Sequence, residues 1–428
     1  MQTKSGSFNT GTGAVGTDIV ITGVGFKPDL VIFSGTRLTQ TTDGIKTTDP
    51  GHAAMNIGWM INDNADGAPT ARRAVGSISA DAATSGESGC QMRDDAVVMV
   101  LTSNGVVDGQ ADGKTFDADG FTLVVDIDFF ESNRVHYLAI KKDSDITNIA
   151  SGRQVPPTAT GNVAYTGPGF RPDFVLFAGC RETIINTPSP HGVLTIGAAT
   201  SSTKRGVCTI CSLNGNTTMF TDGYGYAGEC LAFPLPAATN PQTLQARADF
   251  VSMDTNGFTL NWLEAVNPNA SQFMWLAIKG GQWDVYNALT QINTTTEINI
   301  NNGFQPLGGM VVSAMRAQST QDVMTAHVGL SVGLWATATD ERCFFINDED
   351  GAATSLTAAG VEHDSVYGSF VLTTQAINGL MQVTSVDTDG VNFLMSNADA
   401  AQNFFWGWSC AAAAATGTPL RMLMGVGI

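Results

Sequence analysis

Residues able to do chemistry are present in this chain, but their spacing argues against most of the chemistry they suggest. Seven cysteines stand at 90, 180, 208, 211, 230, 343 and 410, an odd number at irregular intervals, which does not describe a disulfide framework. Cys208 and Cys211 form the one CxxC pair. A zinc site needs four ligands, usually as two such pairs, and no second pair follows, so both read as buried thiols of a strand. The steps DADG (Asp117–Gly120), DTNG (Asp254–Gly257) and DTDG (Asp387–Gly390) echo the start of a calcium loop. Such a loop ends in a bidentate Glu at its twelfth position. Here those positions hold Asp128 and Ala265 in the first two copies, and hairpin turns are the better reading. GVGF and GPGF lack the third glycine of a dinucleotide fingerprint, and Pro and a strand follow rather than a helix.

Arg37, Arg181 and Arg316 recur at the end of one strand pattern. They suit an ion pair within each unit or a bidentate contact between units. The five histidines, 52, 136, 191, 327 and 363, show no shared position by motif spacing, and no Ser/His/Asp or Cys/His set repeats. No catalytic, cofactor-binding or metal-binding residue is predicted, and the expected protein is not an enzyme.

What does repeat is the scaffold. GVGFKPDLVIFSGTR (Gly23–Arg37) returns as GPGFRPDFVLFAGCR (Gly167–Arg181) and as NNGFQPLGGMVVSAMR (Asn301–Arg316). The third copy has lost the Asp after Pro and reads as having gained a Gly. Phe26, Phe170 and Phe304 are 144 and 134 residues apart; Gly120, Gly257 and Gly390 are 137 and 133 apart. The closing stretches VHYLAIK, FMWLAIK and NFFWGWS align Tyr137, Trp275 and Trp406. NIGWMIND, TIGAATSS and SVGLWATA are weaker echoes between them. A unit of this length can bury its own core, unlike a solenoid repeat. Three homologous domains are expected, at 1–146, 147–281 and 282–428, with short joins that imply close packing and a buried face near Trp283, Val285 and Tyr286.

DLVIFSG and FVLFAG are nearly unbroken β-branched and aromatic runs, as in strands covered on both sides. GFTLVVDIDFF alternates, as in a half-buried strand. The best helical candidates are QTLQARADFVS and SCAAAAATG, both beside Gly or Pro. The fold class is all-β: three tandem antiparallel, jelly-roll-like sandwiches.

The chain has 428 residues and a formal charge of −18, yet 14 % of residues are charged, below the usual share of about 25 %. The sparse, acidic surface has no basic footprint for nucleic acid. The start of the chain shows no apolar signal region, and no apolar run reaches the ~18–20 residues of a membrane span.

GFxPD[FL]V, DGFTL and the closing aromatic strand together resemble a domain of tailed-bacteriophage virion proteins: capsid decoration, head-fibre or tail components. The first two copies carry the motifs in full; the third keeps their order and spacing. The resemblance implies a lectin-like or jelly-roll sandwich with a structural or adhesive role on a particle, and no catalytic residues or cofactors. The expected location is the virion and the expected partners are the major capsid protein or other virion proteins, with host glycan as the partner of a tail adhesin. The absence of heptads and short-period repeats favours capsid decoration. Two assemblies fit three copies: a homotrimer, or one chain acting as a pseudo-threefold unit.

Overall fold

The computed structural model of the chain describes residues 1–46, 52–62, 67–142, 146–265 and 271–413, and its regular secondary structure is almost entirely strand. The first stretch forms β1 (Gln2–Asn9), β2 (Asp18–Thr22), β3 (Leu30–Gly35), β4 (Gly44–Lys46), β5 (Ala53–Ile61), β6 (Ala71–Ser79), β7 (Ser88–Arg93), β8 (Val98–Thr102), β9 (Val106–Asp117), β10 (Gly120–Ile127) and β11 (Arg134–Lys141). The second forms β12 (Ile146–Gln154), β13 (Gly161–Tyr165), β14 (Phe174–Cys180), β15 (Ser189–Pro190), β16 (Gly192–Ala199), β17 (Arg205–Ser212), β18 (Thr221–Tyr226), β19 (Leu231–Leu235), β20 (Thr243–Asp254), β21 (Gly257–Ala265) and β22 (Gln272–Gly280). The third forms β23 (Gln282–Leu289), β24 (Ile298–Asn301), β25 (Gly308–Ser313), β26 (Thr325–Ala326), β27 (Val328–Thr337), β28 (Asp340–Asp348), β29 (Thr357–Glu362), β30 (Tyr367–Phe370), β31 (Ile377–Val386), β32 (Gly390–Asn397) and β33 (Phe404–Ala411). Adding eleven to a strand number gives its counterpart in the next copy.

Each copy makes one inner and one outer antiparallel sheet. The first outer sheet runs β2-β10-β9-β8, and the first inner sheet runs β1-β11-β3-β5-β6-β7. The nested pairs β1/β11/β3 and β2/β10 follow a jelly-roll pattern, whereas β5-β6-β7 and β8-β9-β10 run as meanders. The seventh strand of every inner sheet comes from another copy. β15 pairs with β7, β26 with β18, and β4 with β29. Copy two thus donates to copy one, copy three to copy two, and copy one to copy three. The exchange closes on itself within one chain.

Both faces of the inner sheets are therefore covered, as the unbroken apolar runs required. In β3, Val31 and Phe33 face the first sandwich with Phe121, Leu123 and Tyr137. Leu30 and Ile32 face the opposite way, into a core shared with Leu176, Ile196, Met310 and Val332 from the other copies. All of β3 and all of β14 is buried. Burying such side chains is worth ~1.5–3 kcal/mol each, and much of that gain belongs to the assembled ring, not to any one copy. Of the residues expected at the joins, Val285 lies in the shared core and Trp283 stacks on Phe174 at 4.7 Å, whereas Tyr286 lies in the third copy's own sandwich core.

Four details differ from the sequence reading. QTLQARADFVS is strand β20, because β-branched and aromatic neighbours outweigh weak helical periodicity. SCAAAAATG begins as the end of β33, and its residues from 414 on lie outside the described residues. The third copy gained no Gly: Phe26, Phe170 and Phe304 each stand four residues before β3, β14 and β25, and Leu307 takes the place of Asp29. Trp406 is not the counterpart of Tyr137 and Trp275. Tyr137 lies across from Gly6 and Trp275 from Gly152. In the third copy the pair is reversed, with Tyr286 on the opening strand and Gly407 on the closing one. One ring fills the same place in each sandwich core, whichever strand supplies it.

Candidate functional site

The recurring motifs turn out to hold one another. In the first copy the Asp119 carboxylate accepts the Gly23 N–H at 3.1 Å and the Gly25 N–H at 2.6 Å. The Asn256 carbonyl accepts from Gly169, and the Asp389 carbonyl accepts from Asn302 and Gly303. The first Asp of each step is engaged by its own hairpin: Asp117 by Thr115 and Thr122, Asp254 by Ser252 and Thr259, Asp387 by Asn392. These aspartates are turn formers, as the hairpin reading expects. The Asp of the Pro-Asp motif accepts an N–H at the end of the closing strand: Asp29 from Lys142, just past β11, and Asp173 from Gly280, the last residue of β22. Leu307 has no such oxygen.

The arginines do not share a role. Arg37 pairs with Asp108 at 2.9 Å within its copy. Arg316 grips the donated strand, donating to the carbonyls of Thr325, Ala326 and His327 and to the Thr325 hydroxyl. The Arg181 Nε is buried without a hydrogen-bond partner. All seven cysteines are free and buried. Cys208 and Cys211 lie in β17, where burial pushes both thiols up, Cys208 to about 12.

Three of the histidines do recur, contrary to the motif spacing. Nδ1 of His52, His191 and His327 accepts the backbone N–H of Asp81, Asn214 and Asp350 at 2.8, 3.0 and 3.0 Å. Each stands six residues before the glycine of the weak echo: Gly58, Gly197 and Gly333. That fixed offset was the signal available in the sequence. The glycines are needed because a Cβ there would overlap the carbonyl oxygens of Val97, Cys230 and Val366, where each outer sheet crosses the inner one.

The histidines point to the place where the copies meet. The loops following β6, β17 and β28 interlock around one axis by reciprocal backbone bonds. Gly215 donates to Gly86 and Gly86 to Asn216; Gly351 donates to Met219 and Met219 to Ala352; Ala82 donates to Ser355 and Ser355 to Ala83. The residue that meets each histidine also reaches across with its side chain. Asn214 Oδ1 accepts from Ser88, Asp350 Oδ1 from Thr221 and Asp81 Oδ1 from Thr357. Below the loops, the strand ends Ser79, Ser212 and Asp348 converge. Ser212 Oγ donates to Asp348 Oδ2 at 2.7 Å. Burial raises the Asp348 carboxyl to about 7 against the pull of the Ser79 and Ser212 hydroxyls. The loop bonds of this cluster run in the same cyclic sense as the strand exchange, while Asp348 receives a hydroxyl from each neighbouring copy. The three loops, DAATSGE, NGNTTMF and DGAATSL, carry no Lys or Arg; most of their exposed residues are small or polar, and Leu356 is an exposed apolar side chain.

Two further features lie at the seams. Between copies one and three, Asp43 Oδ1 accepts from His363 at 2.7 Å, beside Glu362, Asp364 and Arg134. His136, also at this seam, stacks on Phe344 at 3.9 Å, and burial lowers its pKa well below the ordinary value. Between copies two and three an open cleft of about 510 Å³ is lined by Lys204, Trp283, Asp284, Asn302 and Phe304. It adjoins a second hollow lined by Asn287, Asn299 and Asn301.

No protein-family model matches the chain, and no curated protein matches it in sequence.

Proposed function

We propose that this chain is a non-enzymatic virion structural protein of a tailed phage, a decoration protein on the outer surface of the head. One observation carries the reading: three sequence repeats close into a cyclic strand exchange within a single chain. A surface with threefold or quasi-threefold positions is the natural partner of such an object. Three similar loops around one axis, with no Lys or Arg and few acids, suit a docking face that depends on shape and hydrogen bonding more than on charge. The motif resemblance to phage virion domains and the sparse charge support the same assignment. The partner is then the major capsid protein, and a specific contact should exceed ~1,000 Å².

The test is to incubate purified protein with undecorated capsids at low and high salt. Saturable binding that survives salt, at one chain per threefold position, is the expected result. The reading fails if the protein ignores capsids and binds host cells or their polysaccharide. That outcome would favour the second reading, a tail or fibre adhesin, which the Asn-rich cleft between copies two and three supports. Stacking of Trp283 on Phe174 weighs against it, since that ring face is not free for a sugar.

A further inference from the structure

The three seams are alike in backbone but not in charge. Register places Lys4 of β1, Ala150 of β12 and Asp284 of β23 at one equivalent position, opposite Ala139, Ala277 and Ser409. Register across the neighbouring hairpins likewise makes Ala71, Lys204 and Asp340 equivalent: Gly58 pairs with Ala74, Gly197 with Val207 and Gly333 with Cys343, each three residues further on. The opening strand of one copy meets the hairpin of the next. Lys4 Nζ lies 2.9 Å from Asp340, and Lys204 Nζ lies 3.0 Å from Asp284. The remaining seam, that of β12, brings the neutral pair Ala150 and Ala71 to the corresponding positions.

We infer that these positions form a charge code that fixes which copy packs against which. The first seam reads plus to minus, the second neutral to neutral, and the third minus to plus. Wrong neighbours are penalised. A third copy packed on another third copy would set Asp284 against Asp340. A first copy packed on a second in the reverse order would set Lys4 against Lys204. Both acids are held with little exposure, 10 % of the side chain each, so an unmatched charge there keeps much of its cost. Specificity of this kind needs the repulsive alternative as well as the attractive one. The code matters because the copies are similar enough to swap strands between chains, and such exchange is a low-cost route to oligomers. It steers the donated strand β4 to a β29 edge and away from the similar β7 and β18 edges.

The decisive variant keeps both charged seams oppositely charged and removes their uniqueness. Lys4→Asp with Asp340→Lys retains an opposite-charge pair at the closing seam. Two acidic opening strands then face two basic hairpins, and each fits either. Wild-type and variant full-length chains are refolded from denaturant at matched micromolar concentrations, and their masses are read by native mass spectrometry. Wild type should return as single chains. The variant should give a concentration-dependent mixture with dimers and larger species. The complementary variant, Asp284→Lys with Lys204→Asp, should do the same, and it leaves the Asp340 contacts with Arg342 and the Ser5 N–H untouched. Single-chain masses for both variants at every concentration would overturn the inference and reduce the pairs to ordinary ion pairs. Failure of both to fold would also count against it, because matched charge would then not suffice at the seam.

Discussion

Replacing Asp348 by asparagine should stabilise the protein at alkaline pH and leave it unchanged near pH 4. Asp348 is fully buried where the three copies converge. Its carboxyl titrates at about 7 in the fold, against an ordinary 3.8. A folded value above the unfolded one means that the folded state holds the proton more tightly. Stability from this group is therefore fully present below about pH 4 and lost as the pH rises through 7. The rise from 3.8 to about 7 corresponds to roughly 4 kcal/mol, at ~1.4 kcal/mol per pH unit. Asparagine keeps the shape and an oxygen for the Ser212 hydroxyl but cannot ionise. Other carboxyls raised by burial, including Glu182 to about 7 and Glu341 to about 9, are common to both proteins and cancel in the difference. The assay is urea denaturation of wild type and Asp348→Asn from pH 4 to pH 9. The difference should be near zero at pH 4, grow through pH 5–7 and level off above. An indistinguishable midpoint at pH 9, or a difference that ignores pH, would refute the claim that a carboxyl is trapped dry on the axis.

Other substitutions test separate parts of the account. Gly197→Ala should cost about 3 kcal/mol or prevent folding, because its Cβ would overlap the Cys230 carbonyl oxygen and backbone cannot yield as a side chain does; thermal melting reads the loss. Gly351→Ala should cost about 1–2 kcal/mol, since φ is +78° there. His191→Ala should cost about 1–3 kcal/mol by leaving the Asn214 N–H without its acceptor, and Tm measurements on the full chain would show it. Chelation of divalent ions should leave the Tm unchanged, because hydroxyls and backbone amides already occupy the turn aspartates; a clear drop would make metal structural.

Much of this fold could be read before any coordinates. Unbroken apolar runs in DLVIFSG and FVLFAG gave strands covered on both faces, and alternation in GFTLVVDIDFF gave half-buried ones. Those patterns report burial, so they could show that an inner sheet has two covered faces but not what covers the second. The answer, a core common to three copies, depends on the donated strands. These are two or three residues long, as in Ser189–Pro190 and Thr325–Ala326, too short to carry a periodicity. The recurring histidines were hidden because their spacing from the strong motifs varies with loop length, while their spacing from Gly58, Gly197 and Gly333 does not. Tyr286 was not matched to Tyr137 and Trp275 because a cross-strand pair can exchange its two members without altering the packing. Sequence alignment along the chain does not see such a swap. The seam charges were visible as residues, but only register makes Lys4 and Asp284 equivalent.

The central claim is that one chain closes its own ring, with the first copy supplying a strand to the third. Paired cysteines test it most directly. Lys46 lies opposite Ala359 where β4 meets β29, and residues facing across an antiparallel pair are within reach of a disulfide. Lys46→Cys with Ala359→Cys, oxidised mildly in the folded state, should give one product that runs at the mass of a single chain and changes mobility on reduction. Cross-linked dimers or trimers would show that the strand passes between chains, and no cross-link at all would show that the first and third copies do not meet there.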